Sequence, residues 1–374
     1  YSDRKASRRA AMQAIVVTTF GGLAMLVGLI ILGESAGTYR ISEVVANPPS
    51  GTAVTVAVVL LLVGALTKSA LVPFHFWLPS AMAAPTPVSA YLHAAAMVKA
   101  GVYLVARFAP GFAELGAWRA IVLTAGAWTL VHGGYRALRQ YDLKLVLAFG
   151  TVSQLGLLVL LVGSGSRAAA LAGLAMIGAH AMFKAALFLT VGVVDAATGT
   201  RDLRRLEGVG RALPVTATVG ALATSSMIGL PPFAGYVAKE AAIEALLHDA
   251  GTLVGGLVLA AVAVGSALTV AYGLRFWLGA FGPRVVGAVP LPEPDDGRWP
   301  PLTVSRPSVL LVAPAGLLAV LGLAAALVPT LGEELLSPHA AGYPGEAGHL
   351  TLWSGVGPAL GLTVAILAAG ALLF

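Results

Sequence analysis

The chemistry in this sequence rests on its lysines. There are six, against 17 arginines, and the two residue types are distributed in opposite ways. The arginines lie mostly between or at the ends of apolar stretches. Lys68, Lys99, Lys184 and Lys239 lie inside such stretches, Lys144 stands at the start of one, and Lys5 alone lies plainly in a polar segment. A charged lysine at the centre of a bilayer costs ~2.5–3.5 kcal/mol on insertion scales. A guanidinium stays protonated in proteins, whereas a buried amine can give up its proton. Lysine kept at those positions therefore points to proton transfer rather than to packing. Lysines that snorkel from span ends are the structural alternative.

The histidines extend the pattern. His180 and Lys184 are spaced i and i+4, so they share one helix face. His93 precedes Lys99 by six residues, roughly 120° round the same helix. Imidazole titrates near neutrality and suits a relay, although a core histidine bonded to a carbonyl would look the same in sequence. The other histidines are at 75, 132, 248, 339 and 349. No two histidines are three to five residues apart and there is no H-E-x-x-H, so a metal site would need ligands from distant spans. No metal and no cofactor is expected. Without cysteine, the chain has no disulfide, iron–sulfur cluster or thiolate metal site.

These residues have to be positioned by membrane helices. Of 374 residues 58% are hydrophobic and 11% charged, with a mean hydropathy of +0.87. Soluble proteins carry ~25% charge, and a span needs ~20 apolar residues. The apolar runs are continuous rather than alternating, which selects helices over a barrel. About ten spans are predicted, at 11–32, 51–78, 88–108, 118–137, 144–163, 168–194, 213–247, 252–281, 308–328 and 354–374. The fold class is therefore an all-α polytopic membrane protein.

Three regions are expected: a membrane domain over 1–281, a Pro-rich cytoplasmic connector over 282–307, and further membrane helices over 308–374. If the N-terminal segment is cytoplasmic, inside loops hold fourteen basic residues and outside loops four, Arg40, Arg107, Arg119 and Arg167. The +6 charge thus reads as topology, with no nucleic-acid partner. The basic start resembles a signal peptide, but the apolar run after it exceeds the ~7–15 residues of a signal core. A first residue other than Met and an apolar last run lead to the expectation that the chain is a piece of a longer protein.

Two spans are interrupted. Pro73 follows Lys68 by five residues, and Pro231 and Pro232 precede Lys239 and Glu240. Proline removes a backbone donor and breaks the helix. Unwound backbone at membrane depth survives only in contact with protein or a water-filled cavity. A pair of interrupted spans in two halves points to a transport site at a repeat interface. With four spans between them, the two interrupted spans run antiparallel, as an inverted repeat requires.

At these residues the chain resembles a known family. "KSALVPFHFWLPSAMAAPTPVSAYLHAAAMVKAGVYLVAR", "DLKLVLAFGTVSQLG", "HAMFKAALFLTVGVVDAATGTRDLRRL" and "GLPPFAGYVAKEAAIEAL" are similar, in this order, to the antiporter-like membrane subunits shared by respiratory complex I and Mrp-type cation/proton antiporters. Within that family the large A subunit of Mrp antiporters is the nearer resemblance, and the large distal complex I subunit the alternative. The resemblance covers most of residues 1–280. Ser80 and Ala84 depart from it, because the family often has an acidic or amide residue at the first position and commonly an acidic one at the second.

The resemblance implies two inverted five-helix repeats and a central proton relay. It assigns Lys68 to the first interrupted helix, His93 and Lys99 to the helix after it, His180 and Lys184 to the central connecting site, and Lys239 to the outlet. Lys144, Asp195 and Glu240 are candidate modulators. It also implies a glutamate partner for Lys68 on a helix before residue 1, other subunits of a multisubunit complex as partners beside membrane lipid, and exchange of H+ for Na+ or another monovalent cation in the cell membrane. Two other classes remain open at this point: a membrane scaffold, and a redox subunit, for which ligand spacing and cysteine are both missing.

Overall fold

The structure, a computed structural model, describes residues 5–206, 208–283 and 302–374. Arg4, Arg284, Arg298 and most of the expected connector lie outside these residues. The described residues form helices α1 (Lys5–Ala36), α2 (Ile41–Ala46), α3 (Thr52–Lys68), α4 (Trp77–Ser80), α5 (Thr86–Val88), α6 (Lys99–Phe112), α7 (Gly116–Leu138), α8 (Leu143–Gly163), α9 (Arg167–Thr198), α10 (Val209–Ala212), α11 (Pro214–Ile228), α12 (Ala234–Asp249), α13 (Leu253–Phe281), α14 (Val309–Leu327), α15 (Pro329–Ala340) and α16 (Pro358–Leu373).

Every expected span coincides with a helix or a pair of half-helices, and the membrane class follows from the helices themselves. Six apolar stretches among the described residues are long enough to cross a bilayer, and α3, α11 and α16 are shorter apolar helices. The span expected to be continuous over 88–108 is not. It runs from α5 into a π-helical turn, Ser89–Ala95, and regains α geometry at Lys99. The short helices α2 and α15 were not expected; they connect α1 to α3 and follow α14.

Helix α8 is the axis of the bundle. It is apolar all round, as a helix surrounded by protein must be, and all but one of its 21 residues are buried. It packs on α6, α7, α9 and α13, while α9 also meets α11, α12, α14 and the π turn. Small residues permit the close α7–α8 approach. A Cβ on Gly156 would lie 2.6 Å from the Leu130 backbone nitrogen, and one on Gly133 would lie 2.5 Å from that of Ser153. Side-chain caps fix the helix starts: Asp142 accepts from Lys144 N and Leu145 N at α8, Ser166 caps α9, and Thr252 caps α13.

The two breaks share one backbone design. After α3, Leu71 N donates to Leu66 O (2.9 Å) and Ala70 N to Thr67 O (3.3 Å), with Ala70 left-handed at φ 51°. After α11, Leu230 N donates to Ser225 O (3.0 Å) and Gly229 N to Ser226 O (3.3 Å), with Gly229 left-handed at φ 84°. Both are Schellman stops, which satisfy carbonyls that a helix end leaves free. Phe74 N then bonds Leu71 O, as Phe233 N bonds Leu230 O. The repeat therefore aligns Pro73 with Pro232, 159 positions on, and Val72 with Pro231. Lys68 comes before its break and Lys239 after the other, so these two lysines do not occupy equivalent positions.

Candidate functional site

Lys68 is the last residue of α3, half-buried, at the edge of the first break. Its neighbour Ser69 ties that break to the next helix: Ser69 Oγ donates to Val98 O (2.6 Å) and accepts from Val102 N (3.1 Å). The contact holds Lys68 and Lys99 on either side of one hydrogen-bonded joint. Trp77 Nε1 closes the break by donating to Thr67 O (3.0 Å).

The unexpected π turn exists around His93 and Lys99. Lys99 is 7% exposed, and its amine turns back on the turn's carbonyls, donating to Ala94 O and, at 3.5 Å, to Ala95 O. His93 is buried against the Trp77 ring, with Nδ1 unpartnered among the described residues. Such turns are frequent at functional sites because they re-aim side chains.

The π turn packs on α9, where His180 and Lys184 are both fully buried. Lys99, His180 and Lys184 are close enough for their charges to act on one another. Both ring nitrogens of His180 lack a partner among the described residues. Buried polar groups are nearly always hydrogen-bonded, which makes an unpartnered imidazole at this position unusual. Lys184 Nζ donates weakly to Leu147 O (3.4 Å) and lies 5.5 Å from the centre of the Tyr272 ring.

Tyr272 on α13 leads on to the second break. Its neighbour Gly273 is so close to Ile228 that a Cβ would lie 2.5 Å from Ile228 Cγ2. Ile228 O accepts from Lys239 Nζ at 3.0 Å. Lys239 thus caps the broken end of α11 while buried at 4% exposure. Thr224, near the same contact, and Thr190, which faces Gly220 further back along α11, carry buried hydroxyls without partners among the described residues.

The remaining candidates have different roles in the structure. Lys144 is 1% exposed and binds the loop after the first break, donating to Met82 O (3.0 Å) and to Ala84 O. Its charge also reaches His93. Asp195, near the end of α9, lies 4.0 Å from Arg201, which pairs with Asp142 at 3.3 Å. Glu240, next to Lys239 in sequence, accepts a hydrogen bond from Thr363 on α16.

Sequence reasoning missed Tyr272, Thr363 and the pairing of His75 with His132, whose rings are 5.0 Å apart. An apolar run containing one Tyr or Thr carries no signal for these contacts. No group of three or more His, Cys, Asp or Glu side chains able to hold a metal occurs among the described residues.

An apolar helical bundle with two broken spans and buried amines between them is the architecture of an antiporter-like, multi-pass membrane protein. The chain belongs to the NADH:quinone oxidoreductase/Mrp antiporter transmembrane family, which it matches over residues 1–269. It is 45% identical over 304 residues to a probable K(+)/H(+) antiporter A/B subunit of Rhizobium meliloti, covering 78% of this chain and 30% of that protein. It is 46% identical over 262 residues to the Na(+)/H(+) antiporter A subunit of Alkalihalophilus pseudofirmus, covering 66% of this chain and 32% of that protein. It superposes on a chain of the Mrp complex from Dietzia sp. with a TM-score of 0.87 at 37% identity, over 99% of this chain and 40% of that one. The chain spans about a third of the length of the two curated relatives.

Proposed function

We propose that this chain carries the proton-conducting part of an Mrp-type multisubunit antiporter, in which proton movement is coupled to that of Na+ or another monovalent cation in the opposite direction. The observation that carries the reading is the row of buried amines, Lys99, Lys184 and Lys239, each bonded to backbone carbonyls alone among the described residues. A carbonyl gives an ammonium no compensating charge, so each amine can exchange its proton with a neighbour through ordered water. Protons would pass between Lys68, His93 or Lys99, His180 and Lys184, and Lys239. The partners are the other subunits of the complex and membrane lipid, and the N-terminal segment faces the cytoplasm, in line with the basic-residue bias. The names of the two relatives differ in cation, so both sodium and potassium belong in the test.

The test uses everted membrane vesicles holding the full-length subunit in its complete complex, wild type against Lys184→Ala. Dissipation of an imposed pH gradient by either cation is expected in wild type and not in the assembled variant. Full antiport in the variant would overturn the relay. A wild type that ignores both cations but acidifies the vesicles with NADH would assign the chain to the complex I branch instead.

A further inference from the structure

Helices α7 and α13 run side by side, and their two halves pack differently. In the later half they touch: a Cβ on Gly265 would lie 2.3 Å from Leu130 Cγ, and one on Gly134 would lie 2.9 Å from Leu268 Cβ. Nearer their first turns they leave a cavity of about 420 Å³, bounded by Ala120, Thr124 and Ala127 of α7 and by Leu257 and Val258 of α13. Ala120, Thr124 and Leu257 are exposed, so the cavity is a groove open to the surface of the bundle. The Thr124 hydroxyl donates to Ala120 O, which leaves the walls apolar. One cation, Arg119, stands at the end of the groove in the first turn of α7. Its guanidinium has a single partner among the described residues, Glu114 at 3.8 Å, and that carboxylate is 84% exposed.

In a bilayer such a groove is filled by an acyl chain or by another helix, and its dimensions separate the two. On α7 the lining runs from Arg119 to Ala127, a rise of about 12 Å, close to the ~15 Å of hydrocarbon in one leaflet. An α-helix is ~10–12 Å across, so the same length of helix takes up roughly 900 Å³ or more, about twice the space. An extended acyl chain is far thinner. Chain burial alone selects no particular lipid, because lipid tails are as apolar as the walls. Selectivity has to come from the headgroup, and the one charge at the mouth is positive. A phosphate accepts two parallel hydrogen bonds from a guanidinium, a stronger pairing than the loose, solvated one with Glu114. A zwitterionic headgroup would bring its own ammonium beside the guanidinium, which favours a headgroup of net negative charge. We propose that this groove binds one anionic phospholipid, with an acyl chain between α7 and α13 and the phosphate on Arg119. The lipid completes the contact between α7 and the helix that carries Tyr272. The site follows from the membrane fold and is independent of the proton relay.

Native mass spectrometry of the full complex tests the site, with palmitoyl-oleoyl phosphatidylglycerol or phosphatidylcholine of the same chains titrated in detergent. Wild type is expected to bind one molecule of phosphatidylglycerol about tenfold more tightly than Arg119→Gln does, with phosphatidylcholine bound equally by both. Thr124→Phe fills the groove from its exposed side and should remove that molecule while Arg119 remains. An electron cryo-microscopy map of wild type in phosphatidylglycerol nanodiscs should show a narrow chain between Ala127 and Val258 that ends at Arg119. Equal binding of phosphatidylglycerol by wild type and Arg119→Gln would overturn the anionic headgroup. Full binding by Thr124→Phe, a helix of another subunit in the groove, or a groove without density would overturn the lipid.

Discussion

Lys184 Nζ lies 5.5 Å from the centre of the Tyr272 ring, and Gly150 leaves the space that both groups occupy. A Cβ on Gly150 would come within 2.8 Å of Lys184 Nζ and 2.9 Å of Tyr272 Cε2. The amine is thus held between a ring face, which attracts a cation, and a bare stretch of α8 backbone. Gly150→Ala is expected to displace the amine at a cost of ~1–3 kcal/mol. Antiport in vesicles should fall about tenfold or more, with complex assembly on native gels unchanged. Tyr272→Phe keeps the ring and should retain most of the activity, whereas Tyr272→Leu should lose it.

The two Schellman stops make opposite predictions from one geometry. Ala70 holds a left-handed conformation that costs a residue with a Cβ ~1–2 kcal/mol, while Gly229 holds it freely. Ala70→Gly should therefore raise the thermal unfolding midpoint in detergent. Gly229→Ala should lower it, and more severely, because the new Cβ would also stand 3.1 Å from Lys239 Nζ.

Lys144 ties the loop after the first break through Met82 O and Ala84 O. Lys144→Met leaves those carbonyls without their donor, at ~1–3 kcal/mol for each buried group. Backbone hydrogen exchange should rise over residues 82–95, which include His93. Antiport should drop with the loosening of that loop. An unchanged exchange pattern would argue against Lys144 as its anchor.

Asp202 gives a pH dependence outside the spans. Burial raises the pKa of its carboxyl, but hydrogen bonds from the Arg204 side chain and backbone and the charges of Arg204 and Arg205 outweigh this and hold it below the usual carboxylate value. A depressed folded value stabilises the fold above the unfolded pKa of ~3.9, and the contribution is lost as pH falls through the folded value. Asp202→Asn should therefore lower thermal stability at pH 7. Once pH has fallen below the depressed folded value, its melting temperature should converge with that of wild type.

The sequence by itself determined the membrane class, the order of the spans, the two breaks and the lysines in apolar surroundings. Each of these is a local property: hydrophobic run length, a missing proline donor, or a charge where charge is costly. The broken helix at His93 and Lys99 was not legible, because "SAYLHAAAMVKAG" contains no interior proline and forms a π turn through its packing on α9. The same holds for the repeat register. Pro73 matches Pro231 as well as Pro232 in sequence, and only the hydrogen bonds to Leu66 and Ser225 choose between them. Tyr272 beside Lys184 and Thr363 on Glu240 join residues 88 and 123 positions apart. Contacts at such separation are set by which helices pack together, which the tertiary structure decides.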